Sequence, residues 1–554
     1  MTIPDTLDSY SKHAAETFIQ TAVFVDDRLY EKPPRDSDKP KFVVAPKRRK
    51  RSTKAVEVAE DRAPAGSGIE GDEDAMPDAY DIVNSFAKKQ IVCSLYQPKP
   101  GASVSPSSDI FPLCKAADIV IVDWDLHGDD GERAVNLIDG LISQAVNDVP
   151  EQLRLILVYT QETNLFEVAN KLYVRVLESL SDGFVPQIDD GGLAFHTDNS
   201  RVVVLGKPGR ERPGTDPKSV VSEAELANTA IAEFARLASG LLHAASLLGL
   251  AKIRQNSRKI LSKFNSELDP GFLTHLALSL PVEDASTHIT PLLVSEIESV
   301  LEDVLPKPLM PKKLLEDWVD SAWEPGTHLE VIFNNKKGVD FGSVAKDLIT
   351  KGFSEAREAE SAIPNPKNGT KNTRKAAQIL LPSADSTSNQ HFSHLMASRT
   401  FYGDKLKALK LGSLVQHKEN ETYYLCIQPI CDSVRLKDER VFVFVMLQNS
   451  AGGISDSASH VIFKADGTVQ ELIYDPKSYR CYTATFKPDR NAREVLAKKN
   501  QADTPVFVDT DGTEYVWIDQ LKISHAQRAV EQFASDLSRV GLTESDWLRR
   551  LSGK

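Results

Sequence analysis

From Thr17 to about Gly240, short apolar runs alternate with segments of helical periodicity, a rhythm that predicts an α/β fold with a parallel sheet. Five runs read as strands: Thr21–Val25, Ile91–Tyr96, Ala117–Val122, Leu153–Tyr159 and Arg201–Leu205. They are β-branched and almost continuously apolar, as strands covered by helices on both faces are. The stretch from about Ser222 to Trp323 reads helical. Ser222 and Glu225 have capping-box spacing, and Ala227, Ala230, Ile231, Phe234, Leu237, Leu241, Ala245 and Leu248 follow at helical intervals. Such a helix either lies on the core or extends away from it to pair with another protomer. Beyond about Gly326 the pattern is mixed. A helix is expected near Phe341–Arg357, then a polar loop at Ile363–Thr373. Strands are expected at Leu411–Gln416, Tyr423–Pro429, Val441–Leu447, His460–Lys464 and Pro505–Val508, with a closing helix at His525–Leu551. This divides the chain into an α/β domain (1–221), a helical connector (222–325) and a β-rich α+β domain (326–554).

Two insertions interrupt the first domain. Residues 31–78 carry a basic run, Lys47–Arg51, then Pro, Gly and Ser, then acids around Glu70–Asp74, a composition that predicts a disordered loop. The second, near Ser179–Ser200, shows no assignable pattern. With 554 residues, 41% of them hydrophobic, there is material for several cores. No apolar run approaches the roughly 18 residues that would span a bilayer, and the polar Met1–Tyr10 lacks the marks of a secretory signal. Five dispersed cysteines make no disulfide framework, so a cytoplasmic location is expected. The net charge of −13 weighs against a nucleic-acid partner.

The predicted strand ends carry the chemistry. Functional groups of an open parallel sheet gather outside the carboxyl ends of its strands. Asp26 and Asp27 follow the first strand, Asp123 the third, Thr160 the fourth and Lys207 the fifth. Three converging carboxylates repel one another unless a cation neutralises them. Mg²⁺ suits that role, since it takes oxygen ligands and accepts phosphate oxygens. A carboxylate so placed can attack phosphorus, while the lysine and hydroxyl meet the developing charge.

Residues 123–131 read D-W-D-L-H-G-D-D-G, which resembles the response-regulator receiver motif D-x-x-L-P-G-x-D-G with His127 at the usual proline. Asp26-Asp27 resembles the family's acidic pair, Thr160 its Ser/Thr position, and Lys207-Pro208 its lysine–proline pair, whose peptide bond is typically cis. The resemblance implies a doubly wound, five-stranded parallel sheet. It also implies transfer of a phosphoryl group from a sensor histidine kinase to Asp123. Mg²⁺ would be held by Asp26, Asp27, Asp123 and the backbone carbonyl of Asp125, with Thr160 and Lys207 binding the phosphoryl group. Three departures stand out: Val204 where an aromatic is common, Gln161 where a small residue is usual, and Asp125 as an extra acid.

Signals beyond this domain are sparser. The stretch Tyr423–Arg435 resembles a strand of small toxin-like β-barrels related to RNA-cleaving toxins, with Asp432 and Arg435 as a candidate functional pair. Cys426 and Cys431 could join His391 and His394 on zinc, although a packed strand cysteine is the commoner case. The general architecture resembles large receiver proteins of bacterial two-component anti-phage systems such as Detocs. Two outputs follow: a relay or phosphate sink acting on a downstream effector, or a phosphorylation-gated effector whose barrel is a toxin-like nuclease or other enzyme. No recognition helix supports a transcription factor.

Overall fold

The computed structural model describes residues 3–29, 78–147 (without 102, 103 and 105), 152–278 (without 181–184, 190 and 198), 289–326, 329, 339–359, 378–381, 387–449 (without 404), 459–537 (without 465–467 and 475–477) and 549. Most of the 31–78 insertion, with its basic run, and the 363–373 loop therefore lie outside the described residues. The chain divides into two compact units, Met1–Ala322 and Trp323–Lys554. Among the described residues no helix is long and apolar enough to cross a membrane.

The first unit contains α1 (Leu7–Phe18), β1 (Thr21–Val25), α2 (Ala79–Lys88), β2 (Val92–Tyr96), α3 (Ile110–Ala116), β3 (Ile119–Val122), α4 (Glu132–Asn147), β4 (Arg154–Thr160), α5 (Leu165–Ser179), β5 (Gln187–Ile188), β6 (Ala194–His196) and β7 (Ser200–Gly206). The strands form one sheet in the order β2-β1-β3-β4-β7-β6-β5. The first five in that order are parallel. They are the five predicted strands, in a doubly wound arrangement. The expected count of five becomes seven, because the second insertion folds as a hairpin, β5–β6, laid antiparallel on β7. Arg201, only 4% exposed, anchors that hairpin. Its guanidinium bridges Asp189 in the hairpin loop (2.6 Å) and Glu233 (2.8 Å) on the helix behind the sheet.

Alternation along the strands sends side chains to two cores. Ile119, Ile121, Leu155, Leu157 and Tyr159 face one side, while Val120, Val122, Ile156 and Val158 face the other. Each such fully buried side chain contributes roughly 1.5–3 kcal/mol. The first core includes α1, whose Tyr10, Ala14 and Ala15 are wholly buried. It also includes α6 (Leu226–Leu237) and the start of α7 (Leu241–Lys263). The apolar periodicity from Ala227 to Leu248 is thus two helices. Gly240, with φ 116°, breaks the path between them in a conformation few other residues adopt. Ser222 makes no side-chain cap: residues 223–225 form a 3₁₀ turn, and the Glu225 carboxylate accepts from Asn228 instead. Helices α8 (Asp269–Leu278), α9 (Ile289–Val304) and α10 (Lys312–Ser321) complete the unit.

The second unit has α11 (Phe341–Ala359), α12 (Thr387–Ala397), β8 (Ser413–His417), β9 (Tyr423–Cys426), β10 (Arg440–Asn449), β11 (Ser459–Phe463), β12 (Val469–Tyr474), β13 (Cys481–Phe486), β14 (Lys498–Lys499), β15 (Pro505–Val508), β16 (Glu514–Gln520) and α13 (Ile523–Leu537). Strands β13-β10-β9-β8-β16-β15 pair antiparallel in succession. A bridge between Phe486 and Asp509 then joins the two ends into a small barrel. Tyr424, Phe442, Phe444, Phe486 and Tyr515 fill it. Alternate residues, among them Leu425, Val445 and Leu447, pack outward against Ala526, Ala529 and Phe533 of α13.

Candidate functional site

The predicted site residues do meet at one edge of the parallel sheet. Their backbones continue its ladder: Asp123 N donates to Val25 O (2.8 Å), Asp26 N to Tyr96 O (3.2 Å) and Lys207 N to Thr160 O (2.7 Å). Each functional side chain is therefore placed by a strand whose register is fixed by both cores, rather than by a free loop.

Lys207 lies at the centre, 4% exposed at its side chain. Its ammonium is 3.0 Å from Asp26 Oδ2 and 2.9 Å from Asp123 Oδ1, and 5.5 Å above the Tyr159 ring. Burial alone would lower its pKa, but the two carboxylates hold the ammonium above its usual value. Burial is also the largest influence on Asp123, raising its carboxyl to about 7; Lys207 pulls it down, while Asp26 and Asp27 push it further up. Thr160, 2% exposed, accepts from Glu162 N at its hydroxyl oxygen (3.0 Å), leaving the hydroxyl proton to donate elsewhere.

Carboxylate oxygens of Asp26, Asp27 and Asp123 lie within 4.8 Å of one another, the one such group among the described residues. Asp27 Oδ1 and Asp125 Oδ1 are both buried without a hydrogen-bond partner. An all-oxygen, anionic donor set with unpaired buried lone pairs fits a hard divalent cation such as Mg²⁺. Asp125 adds no side-chain oxygen to the three-acid group.

The loop after β3 is shaped by left-handed residues: His127 (φ 63°), Gly128, Asp130 and Gly131 (φ 84°). A Cβ on Gly131 would lie 2.2 Å from the buried Trp124 ring, so glycine is required there on two counts. His127 N donates to Asp27 Oδ2 (2.9 Å), and its ring Nε2 lies 3.0 Å from Pro98 O.

A family model for the response receiver domain matches residues 18–212. That segment is a receiver domain. No curated protein and no solved structure matches the chain. A receiver domain is the phosphoryl-accepting module of response regulators, and the match spans every residue from Asp26 to Lys207 just described.

Three features of the structure bear on what the sequence predicts. The Lys207–Pro208 peptide bond is trans; among the described residues the cis X-Pro bond is Lys307–Pro308. The zinc set does not assemble. Cys426 is buried in the barrel core, where burial pushes its thiol up to about 12, Cys431 is exposed, and His391 and His394 pack on Phe463. Third, no pairing in the sequence announces Arg212, 8% exposed, which ties the end of β4 at Thr160 to the chain at Lys207. It donates to Glu162 O (2.7 Å), Lys207 O (2.7 Å) and Thr160 O (3.2 Å). The available signal was an arginine five residues past the site lysine, within a Pro/Gly-rich turn.

The proline usual at position 127 is incompatible with this receiver loop. A pyrrolidine ring fixes φ near −65° and removes the N–H that Asp27 accepts. His127→Pro is expected to cost roughly 3 kcal/mol, read by urea denaturation beside His127→Gly, which keeps the backbone freedom. Wild-type stability in the proline variant would contradict the loop conformation.

Proposed function

We propose that the protein is a response regulator that accepts a phosphoryl group on Asp123 from the phosphohistidine of a sensor histidine kinase, and acts as a signalling relay or phosphate sink. The carrying observation is the Asp26–Asp123–Lys207 arrangement inside a matched receiver domain. In the transfer, an Asp123 carboxylate oxygen attacks phosphorus, the N–P bond breaks, and the electron pair returns to the imidazole, which takes a proton. Lys207, now 2.9 Å from Asp123, and the Thr160 hydroxyl are placed to donate to the phosphoryl oxygens. Asp26 and Asp27, with Asp123, would hold Mg²⁺, which when bound neutralises the charge on those oxygens. Arg212 keeps both donor-bearing loops in place.

Release of Lys207 from Asp123 toward the phosphoryl group is the change that would be read out. Self-association is assigned to the helices after the sheet, where Leu261 (71% exposed), Leu268, Leu273 and Leu292 face solvent. A second copy would cover that face. A role in anti-phage defence rests on the architectural resemblance alone.

Incubation with acetyl phosphate and Mg²⁺, followed by borohydride trapping and peptide mapping, is expected to place one phosphoryl group on Asp123. Light scattering on the same samples tests self-association. Absence of label, or label on another residue, would overturn the reading.

A further inference from the structure

A second site is built on the barrel, remote in sequence from the receiver and independent of its chemistry. Residues 399–403, 405–408 and Lys410 line a groove of about 470 Å³ together with Trp517 and Glu494. This stretch is fixed at both ends. Arg399 N donates to Gln520 O (2.8 Å), Leu409 N to Val495 O (2.8 Å), and Ala497 N to Lys407 O (2.8 Å). The groove is thus preformed rather than a loop surface.

Its chemistry is unlike that of the chain as a whole. Arg399, Lys405, Lys407 and Lys410 converge against a single acid, Glu494, in a protein of net charge −13. The crowding is felt at Lys410, whose ammonium is lowered first by burial and then by Arg399. Aromatic rings are interleaved with these cations. Phe401 and Trp517 pack edge to face at 5.5 Å, with the Lys407 ammonium 3.6 Å from the Phe401 ring centre and 5.0 Å from that of Trp517. Tyr402 stands beside them 89% exposed, a large ring with an open face.

Converging cations call for an anion of several charges, and an open aromatic face calls for a flat π-system. Single-stranded nucleic acid supplies both: phosphates for the cations and bases for the rings. An acidic peptide satisfies only the first requirement, and a duplex keeps its base faces stacked inside. We propose that this groove binds single-stranded nucleic acid, with Tyr402 as a base-stacking platform and Arg399, Lys405 and Lys410 as phosphate contacts.

The test uses the full chain with the Lys47–Arg51 run changed to glutamine, so that this second basic element makes no contribution. Fluorescence anisotropy is measured with labelled twelve-residue oligouridylate and oligothymidylate, at two salt concentrations. Binding is expected to weaken roughly tenfold from about 50 to 200 mM salt. Tyr402→Ala is expected to weaken it about tenfold more at fixed salt. Lys405→Gln should reduce the slope of log affinity against log salt by about 0.7. Both side chains are exposed, so an unchanged urea midpoint confirms that the variants fold. Preference for either oligonucleotide supports the proposal and separates RNA from DNA as ligand. It is overturned by no binding, by binding indifferent to both substitutions, or by an aspartate-rich peptide that binds equally well whether or not Tyr402 is present.

Discussion

Asp123→Asn is expected to abolish phosphoryl uptake while making the metal-free protein more stable. The amide keeps the shape of the carboxylate but has no nucleophilic oxygen anion, so labelling should fall to background. Stability moves the other way because the wild-type group is held at about 7 in the fold, against about 4 for an unfolded aspartate. A carboxyl whose folded pKa is raised binds more protons folded than unfolded, so its ionisation opposes folding. In EDTA, wild-type stability should therefore fall as pH rises from about 4 to about 7 and level off above. The effect expected at pH 8 is about 2 kcal/mol. Urea unfolding of both proteins at pH 5 and pH 8 checks this. A wild type whose stability drops no more than the variant's would contradict the strained carboxylate.

Arg212→Ala should destabilise the receiver domain by about 3–5 kcal/mol and slow phosphorylation as well. Three carbonyls lose a charged donor at once, and two of them belong to Thr160 and Lys207 themselves. The guanidinium also fills the space over Gly206, where a Cβ would lie 2.8 Å from its central carbon. Arg212→Lys separates the contributions. A lysine keeps the charge but cannot present the planar fork, so most of the stability loss should remain. Thermal unfolding combined with the rate of acetyl-phosphate labelling checks both parts. An alanine variant with wild-type labelling kinetics would show that the two loops hold without it.

The contrast between Asp123 and Arg212 shows what this sequence makes legible. Asp26, Asp27, Asp123, Thr160 and Lys207 can be read because each is a distinct polar residue within two positions of the end of an apolar run, and the sheet rule converts that position into proximity. Arg212 binds backbone carbonyls, which have no residue identity, so no pairing in the sequence announces it. Strands β5 and β6 are two and three residues long and exist through pairing to β7, below any periodicity that could reveal them. In the second unit, β12, β13, β14 and β16 escape the apolar-run criterion. Val469–Tyr474 and Glu514–Gln520 carry Gln, Glu and Asp among their apolar residues, and Cys481–Phe486 places threonines outward. A curved sheet with one face in solvent tolerates all of these. Ser222 fails as a cap because the chain tightens into 3₁₀ geometry before α6 begins, a choice made by packing Leu226 and Ala227 into the core.

The hairpin laid on β7 changes how quickly the site can be taken apart. Without it β7 would be an edge strand, one row of its amides open to water. With it, Leu193 O accepts from Val204 N (2.9 Å) on one side while β4 runs along the other. Amide protons of Val202–Val204 therefore exchange with solvent only when a unit spanning β4, β7 and β6 opens together, among the slowest openings of the domain. The strand leading to Lys207 is thus held along both of its edges. Beyond it the chain leaves at Lys207 and returns to the sheet at the bridge between Gly206 and Val220, so a displaced Lys207 would pull on a loop closed at both ends.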